Sequence, residues 1–565
     1  MSALGCRLNE AELELWSQQF QVAGFDISTN PQEADLLVFT SCAVTQEAVR
    51  KSRQQINRLK RNNPDAKVVV SGCFVSLNEH SAPSQPTVKS NPAVNSNPAA
   101  NTTVASEATA STYPRITSPL NHPGEVDLVV PNAQKDELVP LIVNEWYGDL
   151  TGHVLPQNAE STPPSIDQTA ADESIQQPGV GSETATSVNR IENGLKSEDL
   201  TQSRKFPIIP ILSSRNPGSA VSSNAEPQPT FTRQRQRAFI KIQDGCRYKC
   251  TYCIVTVARG EERSRSIQEL VSEVRQLHEQ GIKEIVLTGV HVGGYGSDTG
   301  ESLASLLEAL LHDTAIQRIR FASVEPWDLE DHLLTVLQHP RVMPHMHLPV
   351  QSGCNSVLQR MARRCKTSDF QSLVNRLRQS MPDFNVTTDI IVGFPGETDD
   401  EWQDTLRFVE NTSFGHIHIF PFSPRQGTHA AKLDKQVEGA VRKQRAQQLK
   451  QLADSGREEF LSRFTGRTMD VLWESAKPLG NSRPGNPEKK PNSNQNPETD
   501  APALAGQGIP DLQRYLGYTP NYIRVFCDSD ISTPSLENRI LPTQLNAVSL
   551  VTGGSANSML CGTIK

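Results

Sequence analysis

Of the ten cysteines in this 565-residue chain, six fall into two groups of three. Cys246, Cys250 and Cys253 form C-x3-C-x2-C within Asp-Gly-Cys-Arg-Tyr-Lys-Cys-Thr-Tyr-Cys, directly after an apolar run, Ala238 to Ile242, that reads as a strand. At no more than about 3.6 Å per residue, three thiols so spaced can converge on one small object at a strand's C-terminal end. Three thiolates on a four-iron cluster leave one iron without a protein ligand, a place for a substrate or cofactor, whereas structural zinc normally takes four. A zinc site with a fourth ligand from elsewhere, or three unrelated buried cysteines, are the alternatives.

Cys6, Cys42 and Cys73 are widely spaced, but each is expected at a strand end: Leu-Gly-Cys, Thr-Ser-Cys-Ala-Val and Ser-Gly-Cys. In a parallel sheet all such ends face one side, where ligands bind. Spacing alone leaves a metal site and three buried or loop cysteines both open. Cys354, Cys365, Cys527 and Cys561 lack ligand spacing and read as ordinary thiols.

The elements that must position these thiols follow from hydrophobic patterning. Leu36 to Thr40, Lys67 to Ser71 and Val126 to Pro131 are short apolar runs alternating with helical stretches Thr45 to Arg61 and Lys135 to Trp146, which predicts a small parallel sheet with flanking helices. From Arg237 to about Arg425 the alternation continues. Strands are expected at 238–242, 284–288, 318–323, 345–349, 387–392 and 416–420, with helices such as 267–280, 302–311 and 401–410, as in a full or partial parallel barrel. A helix over 441–464 leads to strands at 468–473, 522–527 and 547–552, the pattern of a small C-terminal β-barrel.

Three stretches, approximately Glu79 to Gly124, Pro156 to Thr230 and Ala476 to Ile509, are rich in Pro, Ser, Asn and Gln and poor in aromatics, as in segments that cannot offset their ordering entropy. The middle one carries nine acidic and five basic residues, half of the chain's net charge of −8, so that average does not argue against a polyanionic partner. The expected class is α/β. An N-terminal parallel α/β domain spans 1–150, with a disordered linker over 151–230, a partial parallel barrel with its trailing helix over 231–464 and a β-barrel over 465–565. No apolar run reaches the roughly 18 residues of a membrane span, and the first residues show no secretory pattern, so a cytoplasmic protein without membrane contact is expected.

The C-x3-C-x2-C stretch, with the aromatic Tyr252 before its last cysteine, resembles the signature of radical S-adenosylmethionine enzymes. With Gly5-Cys6-Arg7-Leu8-Asn9, Cys42-Ala43-Val44 and Gly72-Cys73 it is similar to the methylthiotransferase family. Further matching stretches are Arg237–Cys246, Val257–Arg265, His347–Gly353, Thr388–Glu397 and Pro421–Thr428. The resemblance implies two [4Fe-4S] clusters, one on each cysteine trio, and S-adenosylmethionine on the free iron of the second. It implies a tRNA substrate methylthiolated at C2 of N6-threonylcarbamoyladenosine, at position 37 next to the anticodon, gripped by a TRAM-like C-terminal barrel. A C2–H on an aromatic ring offers no acidic proton to a side-chain base, so a radical route suits that reaction. Rival readings are methylthiolation of isopentenyladenosine in tRNA or of a ribosomal-protein aspartate, and an RNA-binding protein whose metal sites are structural. A monomer is expected; the sulfur and electron donors are not legible.

That family normally has a strand before the first cysteine, whereas only Met1 to Gly5 precede Cys6 here; either the true start lies upstream or the strand is stunted. Tyr252, Gly289, Glu325, Gln351 and Asp389 are candidate S-adenosylmethionine contacts, with a structural role at the barrel rim as the alternative for Glu325, Gln351 and Asp389 and a tight turn for Gly289. Gly293 and Gly294, close after Gly289, suit either backbone approach to the cofactor or a tight turn. His345 with His347, and His416 with His418, have strand period two and are expected to pack or hydrogen-bond, because no carboxylate or cysteine completes a local ligand set. Arg233, Arg235, Arg237, Lys241, Arg247, Lys249, Arg259, Arg263 and Arg265, together with Arg50, Lys51, Arg53, Arg58, Lys60 and Arg61, crowd both cysteine segments and are expected to attract phosphate.

Overall fold

The computed structural model describes residues 1–3, 5–28, 30–79, 126–147, 236–478, 512–549 and 559–565. Of the three expected inserts only Glu79 and residues 476–478 are described; the rest, with Arg233 and Arg235, lies outside the described residues.

The N-terminal elements are β1 (Ser2–Ala3), α1 (Arg7–Val22), β2 (Leu36–Ser41), α2 (Gln46–Asn62), β3 (Lys67–Gly72), α3 (Cys73–Glu79), β4 (Leu128–Val130) and α4 (Leu138–Tyr147). All four strands pair parallel in the order β1-β2-β3-β4. Val38, Phe39, Val68, Val69 and Val70 are all buried, as befits strands covered on both faces. β1 pairs Ser2 with Phe39 and Ala3 with Thr40. Helix α2 starts where the Thr45 hydroxyl accepts from the Ala48 amide at 3.1 Å, and Lys60 and Arg61 complement the dipole in its last turn. Helix α1 has no counterpart among the sequence expectations: its buried stripe includes Asn9 and Glu12 beside Leu8, Ala11, Trp16 and Phe20, and the two polar residues blur the helical period.

The central elements are β5 (Arg237–Lys241), β6 (Gln243–Asp244), α5 (Val255–Arg259), β7 (Arg263–Ser264), α6 (Ile267–Glu279), β8 (Glu284–Thr288), α7 (Leu303–Asp313), β9 (Arg318–Phe321), α8 (Asp331–Val336), β10 (His345–His347), α9 (Asn355–Arg360), α10 (Thr367–Ser380), β11 (Asn385–Val392), α11 (Asp399–Thr412) and β12 (His416–Pro421). Parallel sheets β5-β8-β9 and β10-β11-β12 are joined by parallel bridges Ile319–Val342 and Ser323–His347, giving six barrel strands. Among the described residues no pairing joins β5 to β12, so the barrel is partial. Strand alternation sorts the faces. Ala238, Ile240, Ile285, Leu287, Ile319 and Phe321 pack outward with the helices in one core. Phe239 and Val286 face the lumen, where Ala11 of α1 packs on them.

The C-terminal elements are α12 (Gly439–Ser462), β13 (Thr468–Trp473), β14 (Lys477–Pro478), β15 (Leu512–Tyr518), β16 (Arg524–Asp530), β17 (Ile540–Ser549) and β18 (Met559–Ile564). Five of these strands run β13-β17-β18-β16-β15 and close through β13–β15 pairing at Leu472–Tyr518 and Trp473–Gly517, around Val471, Trp473, Tyr515, Val525, Leu545 and Leu560. Tyr522, expected in a strand, lies instead in the β15–β16 turn with φ +66°, a left-handed conformation that strand pairing does not accept. From there its ring enters the base of the central barrel. It stacks on His345 (4.6 Å) and lies under Arg320 (4.7 Å) and Arg237 (5.6 Å), while Arg237 Nη1 donates to its hydroxyl at 3.3 Å.

Met1–Pro140 and Pro227–Lys565 form one compact unit. The second unit, Leu141–Glu226, is described only over 141–147, the end of α4.

Candidate active site

Cys6 caps the start of α1, Cys42 follows β2, and Cys73 opens α3 at the end of β3. A Cβ on Gly5 would lie 2.8 Å from Cys42 Cβ and 3.0 Å from its Sγ, so the bare backbone at Gly5 is what lets Cys42 approach Cys6. Burial pushes the Cys42 thiol up to about 11, and the neighbouring Cys73 and Cys6 push the same way. The Cys73 sulfur is held by Arg259 Nε at 3.4 Å and approached by Asn132 Nδ2 at 3.8 Å.

The second trio sits on the loop between β6 and α5. Gly245, with φ +76°, turns the chain into Cys246, and a Cβ there would lie 1.8 Å from the Glu261 carbonyl oxygen. The Cys246 amide donates to Gly260 O (3.1 Å), the Cys253 amide to Cys250 O (3.0 Å) and the Thr251 amide to Met361 O (3.0 Å), fixing both ends of the loop. Burial is again the main cause that raises Cys246 to about 12 and Cys253 to about 11, with Cys250 adding to both. Buried thiols of this kind become thiolates when a metal supplies the compensating charge.

Spacing bears on which metal group fits. Tetrahedral zinc at about 2.3 Å would hold thiolates about 3.8 Å apart. Among the described residues the sets with all ligand atoms within 4.8 Å of one another are Cys246/Glu262/His291 and His347/Asp389/His418, so neither cysteine trio closes to single-ion spacing. The thiols of each trio nevertheless lie near enough to raise one another's pKa, a wider grouping that suits the corners of a cluster better than one ion.

Arg259 joins the two trios. It ends α5, the helix that begins two residues after Cys253, and is wholly buried. Its guanidinium donates to Glu12 Oε1 (2.9 Å), Asp244 Oδ1 (3.1 Å), Asn9 Oδ1 (2.8 Å) and, through Nε, to Cys73 Sγ. Lys135 and Lys241 complete the network, Lys135 Nζ at 2.6 Å from Glu12 and Lys241 Nζ at 3.2 Å from Asp244. Burial works to raise the Glu12 carboxyl, but Arg259, Lys135 and Lys241 outweigh it and hold the group down at about 2. Thus α1, β6 and α5 are bound by charges that water does not screen.

The threonylcarbamoyladenosine tRNA methylthiotransferase MtaB of Bacillus subtilis is 31% identical to this chain over 478 residues, 84% of each protein. This chain belongs to the MtaB family. MtaB of Thermotoga maritima is 30% identical over 84% of this chain and 86% of its own. The tRNA-2-methylthio-N(6)-dimethylallyladenosine synthase of Staphylococcus saprophyticus is 41% identical over 242 residues, 42% of this chain and 47% of its own. Residues 240–409 match the radical SAM superfamily and residues 1–90 the uncharacterized protein family UPF0004. A solved radical S-adenosylmethionine methyltransferase, TsrM from Kitasatospora setae, has a TM-score of 0.40 at 14% identity, over 72% of this chain and 65% of that one.

In this MtaB family member Tyr252 is half-buried close to Arg363, Cys250 and Glu325. Glu325 is engaged by Arg363 (2.6 and 3.1 Å), whose guanidinium lies 4.4 Å from the Trp327 ring centroid. Gly289 abuts the Gln243 side chain, with its Cβ position 2.9 Å from Oε1, and Gly293 and Gly294 are pressed by Asp328 and His291, so a side chain at any of the three would collide with protein. Gln351 has φ +76°, strained for a non-glycine residue, and its backbone pairs with Asp389 and Ile391. Asp389 lies 3.1 Å from His347 Nε2.

Two sequence expectations need correction. A carboxylate does complete a histidine set, because the register of β11 brings Asp389 opposite His418 and beside His347. Part of the basic set, moreover, is spent inside the protein: buried Arg237 pairs with Glu474 and buried Lys241 with Asp136 and Asp244, while Arg50, Lys51 and Arg247 stay exposed in surface pairs with Glu47 and Glu262. Sequence reasoning also missed His291, clamped by Glu262 and Asp328 at 2.6 Å each. Burial opposes its protonation, yet the two carboxylates prevail and raise its pKa. Its partners are remote in sequence, so no local signal marks it.

Proposed function

We propose that this protein inserts a methylthio group at C2 of N6-threonylcarbamoyladenosine in tRNA, at the position next to the anticodon. Cys6, Cys42 and Cys73 would hold one [4Fe-4S] cluster, and Cys246, Cys250 and Cys253 the other. Tyr252, Gln351, Glu325 and the backbone at Gly289 would meet S-adenosylmethionine at the barrel mouth. When bound, these groups supply a carbon-centred radical and a methylated sulfur, which together replace a ring hydrogen that no side-chain base could remove.

The observation that carries the reading is Arg259, one residue that touches Cys73 and ends the helix led by Cys253, so a single base can serve both trios. The chain's own residues exclude water and fix distance. Helix α1 covers the lumen through Ala11 on Phe239 and Val286, Tyr522 closes the base, and the Glu12–Arg259–Asp244 network locks the N-terminal sheet to the barrel. The anticodon loop is already partly unpaired, which lowers the cost of presenting the base. The C-terminal barrel suits RNA contact, and a tRNA substrate is met in the cytoplasm.

The test is anaerobic reconstitution followed by mass spectrometry of nucleosides from tRNA bearing threonylcarbamoyladenosine. Appearance of the 2-methylthio nucleoside supports the reading. Conversion only of dimethylallyladenosine tRNA, or of a protein substrate, overturns it.

A further inference from the structure

The first residue of α1, Arg7, lies where the N-terminal sheet meets the lumen. It is next to Cys6, and its guanidinium carbon lies 5.2 Å from the centroid of Phe239, whose ring faces the lumen from β5. Its side chain is 47% exposed, and its Nη1 donates to both Glu10 oxygens at 3.0 Å. Among the described residues no protein acceptor takes Nε or Nη2, so one face of the guanidinium fork is available to a ligand.

Across the lumen stands a polar wall. His347, Asp389 and His418 project from β10, β11 and β12 on the same face of their sheet, with ligand atoms within 4.8 Å of one another. His347 Nε2 is paired with Asp389 Oδ1 at 3.1 Å and its Nδ1 with Thr387 Oγ1 at 3.0 Å, which fixes the ring; the His418 ring lies 5.5 Å from it. Arg7 is close enough to press the His418 imidazole toward its neutral form, after the larger effect of burial and against the pull of Asp389. A cation bound by the wall would meet that same positive field, whereas the anionic end of a ligand belongs on the free edge of Arg7, with its neutral polar groups toward Asp389 and the imidazoles.

The substrate base carries such an anion. The threonylcarbamoyl group hangs from N6 by a planar urea and ends in a carboxylate and a secondary hydroxyl, while the dimethylallyl group of the related substrate is uncharged and apolar. A guanidinium receives a carboxylate through two parallel N–H···O bonds, and a site built for that pairing rejects a ligand that leaves it unpaired. We propose that Arg7 is the specificity-determining residue for the substrate base, binding the threonyl carboxylate through Nε and Nη2, with His347, Asp389 and His418 facing the hydroxyl and urea. The inference rests on the function proposed above and adds to it the residue that tells one N6 substituent from the other.

The experiment uses the reconstituted full chain and two synthetic anticodon stem-loops, one carrying threonylcarbamoyladenosine and one its methyl ester, with binding read by fluorescence anisotropy and iron counted in every sample. The unaltered protein is expected to bind the acid about 10- to 100-fold tighter than the ester, the size of one charge-assisted pair. Arg7→Gln is expected to bring the two within about twofold by removing that pair, with iron content unchanged. Glu10→Gln, which removes a carboxylate competing for the same guanidinium, is expected to tighten acid binding several-fold and leave ester binding alone. An Arg7→Gln protein that retains the preference for the acid, or a Glu10→Gln protein without the gain, overturns the inference while leaving the proposed function standing. An unaltered protein that converts no threonylcarbamoyladenosine tRNA overturns the function itself.

Discussion

Arg259→Met removes the guanidinium and keeps most of the stem's volume. Four acceptors lose a donor: Glu12, Asp244, Asn9 and the Cys73 sulfur. Deleting one partner of a buried ion pair costs about 3–5 kcal/mol. Here neither carboxylate is left alone, since Glu12 keeps Lys135 at 2.6 Å and Lys241 at 3.7 Å, and Asp244 keeps Lys241 at 3.2 Å together with Lys135. The loss therefore belongs at the low end, about 3 kcal/mol, or a little over a hundredfold in the folding equilibrium. Urea unfolding of the metal-free protein, followed by circular dichroism at constant m, measures it, with the exposed Arg58→Met as a control expected to stay within about 0.5 kcal/mol. Arg259→Lys should fall between, because a point charge cannot reach four acceptors set around a planar fork. A loss below about 1 kcal/mol for Arg259→Met would refute the claim that this network holds the two cysteine segments together.

Acid should find the same network. The Glu12 carboxyl is held at about 2 in the folded chain against an ordinary 4.5, so its contribution is complete above about pH 4.5 and fades as the pH falls toward 2; urea midpoints of the metal-free protein against pH should lose that part of the acid limb in Glu12→Gln. Thr45→Ala removes the cap of α2, three residues after Cys42, and should cost about 1 kcal/mol by the same unfolding assay. Gly245→Ala drives a Cβ against the Glu261 carbonyl and should cost about 1–3 kcal/mol while lowering iron retained at the second trio, read by iron analysis. Replacing Cys6, Cys42 and Cys73 together by alanine should halve the iron from about eight to about four per chain, with reductive cleavage of S-adenosylmethionine preserved in a chromatographic assay.

Much of this site is legible in the sequence because its chemistry is local. C-x3-C-x2-C and the apolar runs that end at Cys42 and Cys73 announce their positions without reference to the rest of the chain, and strands such as 284–288 and 468–473 coincide with their apolar runs. What binds the trios together is not local. Arg259 sits in a basic stretch that reads as a phosphate-seeking surface, yet its acceptors come from residues 9, 12 and 244, and nothing short of the folded chain places them around one guanidinium. Helix α1 escapes the periodic signal for a related reason, since Asn9 and Glu12 occupy its buried stripe to serve that network. The histidine wall is half legible: period two puts His416 and His418 on one face, but the inter-strand register that adds Asp389 is a tertiary fact.

The placement of Tyr522 alters what the C-terminal barrel is for. Its ring is wedged beneath the lumen among Arg237, Arg320 and His345, so the module works as a stopper. Cutting it away would uncork the chamber from below, wetting cations that now rest on aromatic faces and admitting solvent to the space where a reactive species must survive until it meets its base. On the function proposed above, contact with the nucleic acid and protection of the chemistry would then be vested in one piece of chain.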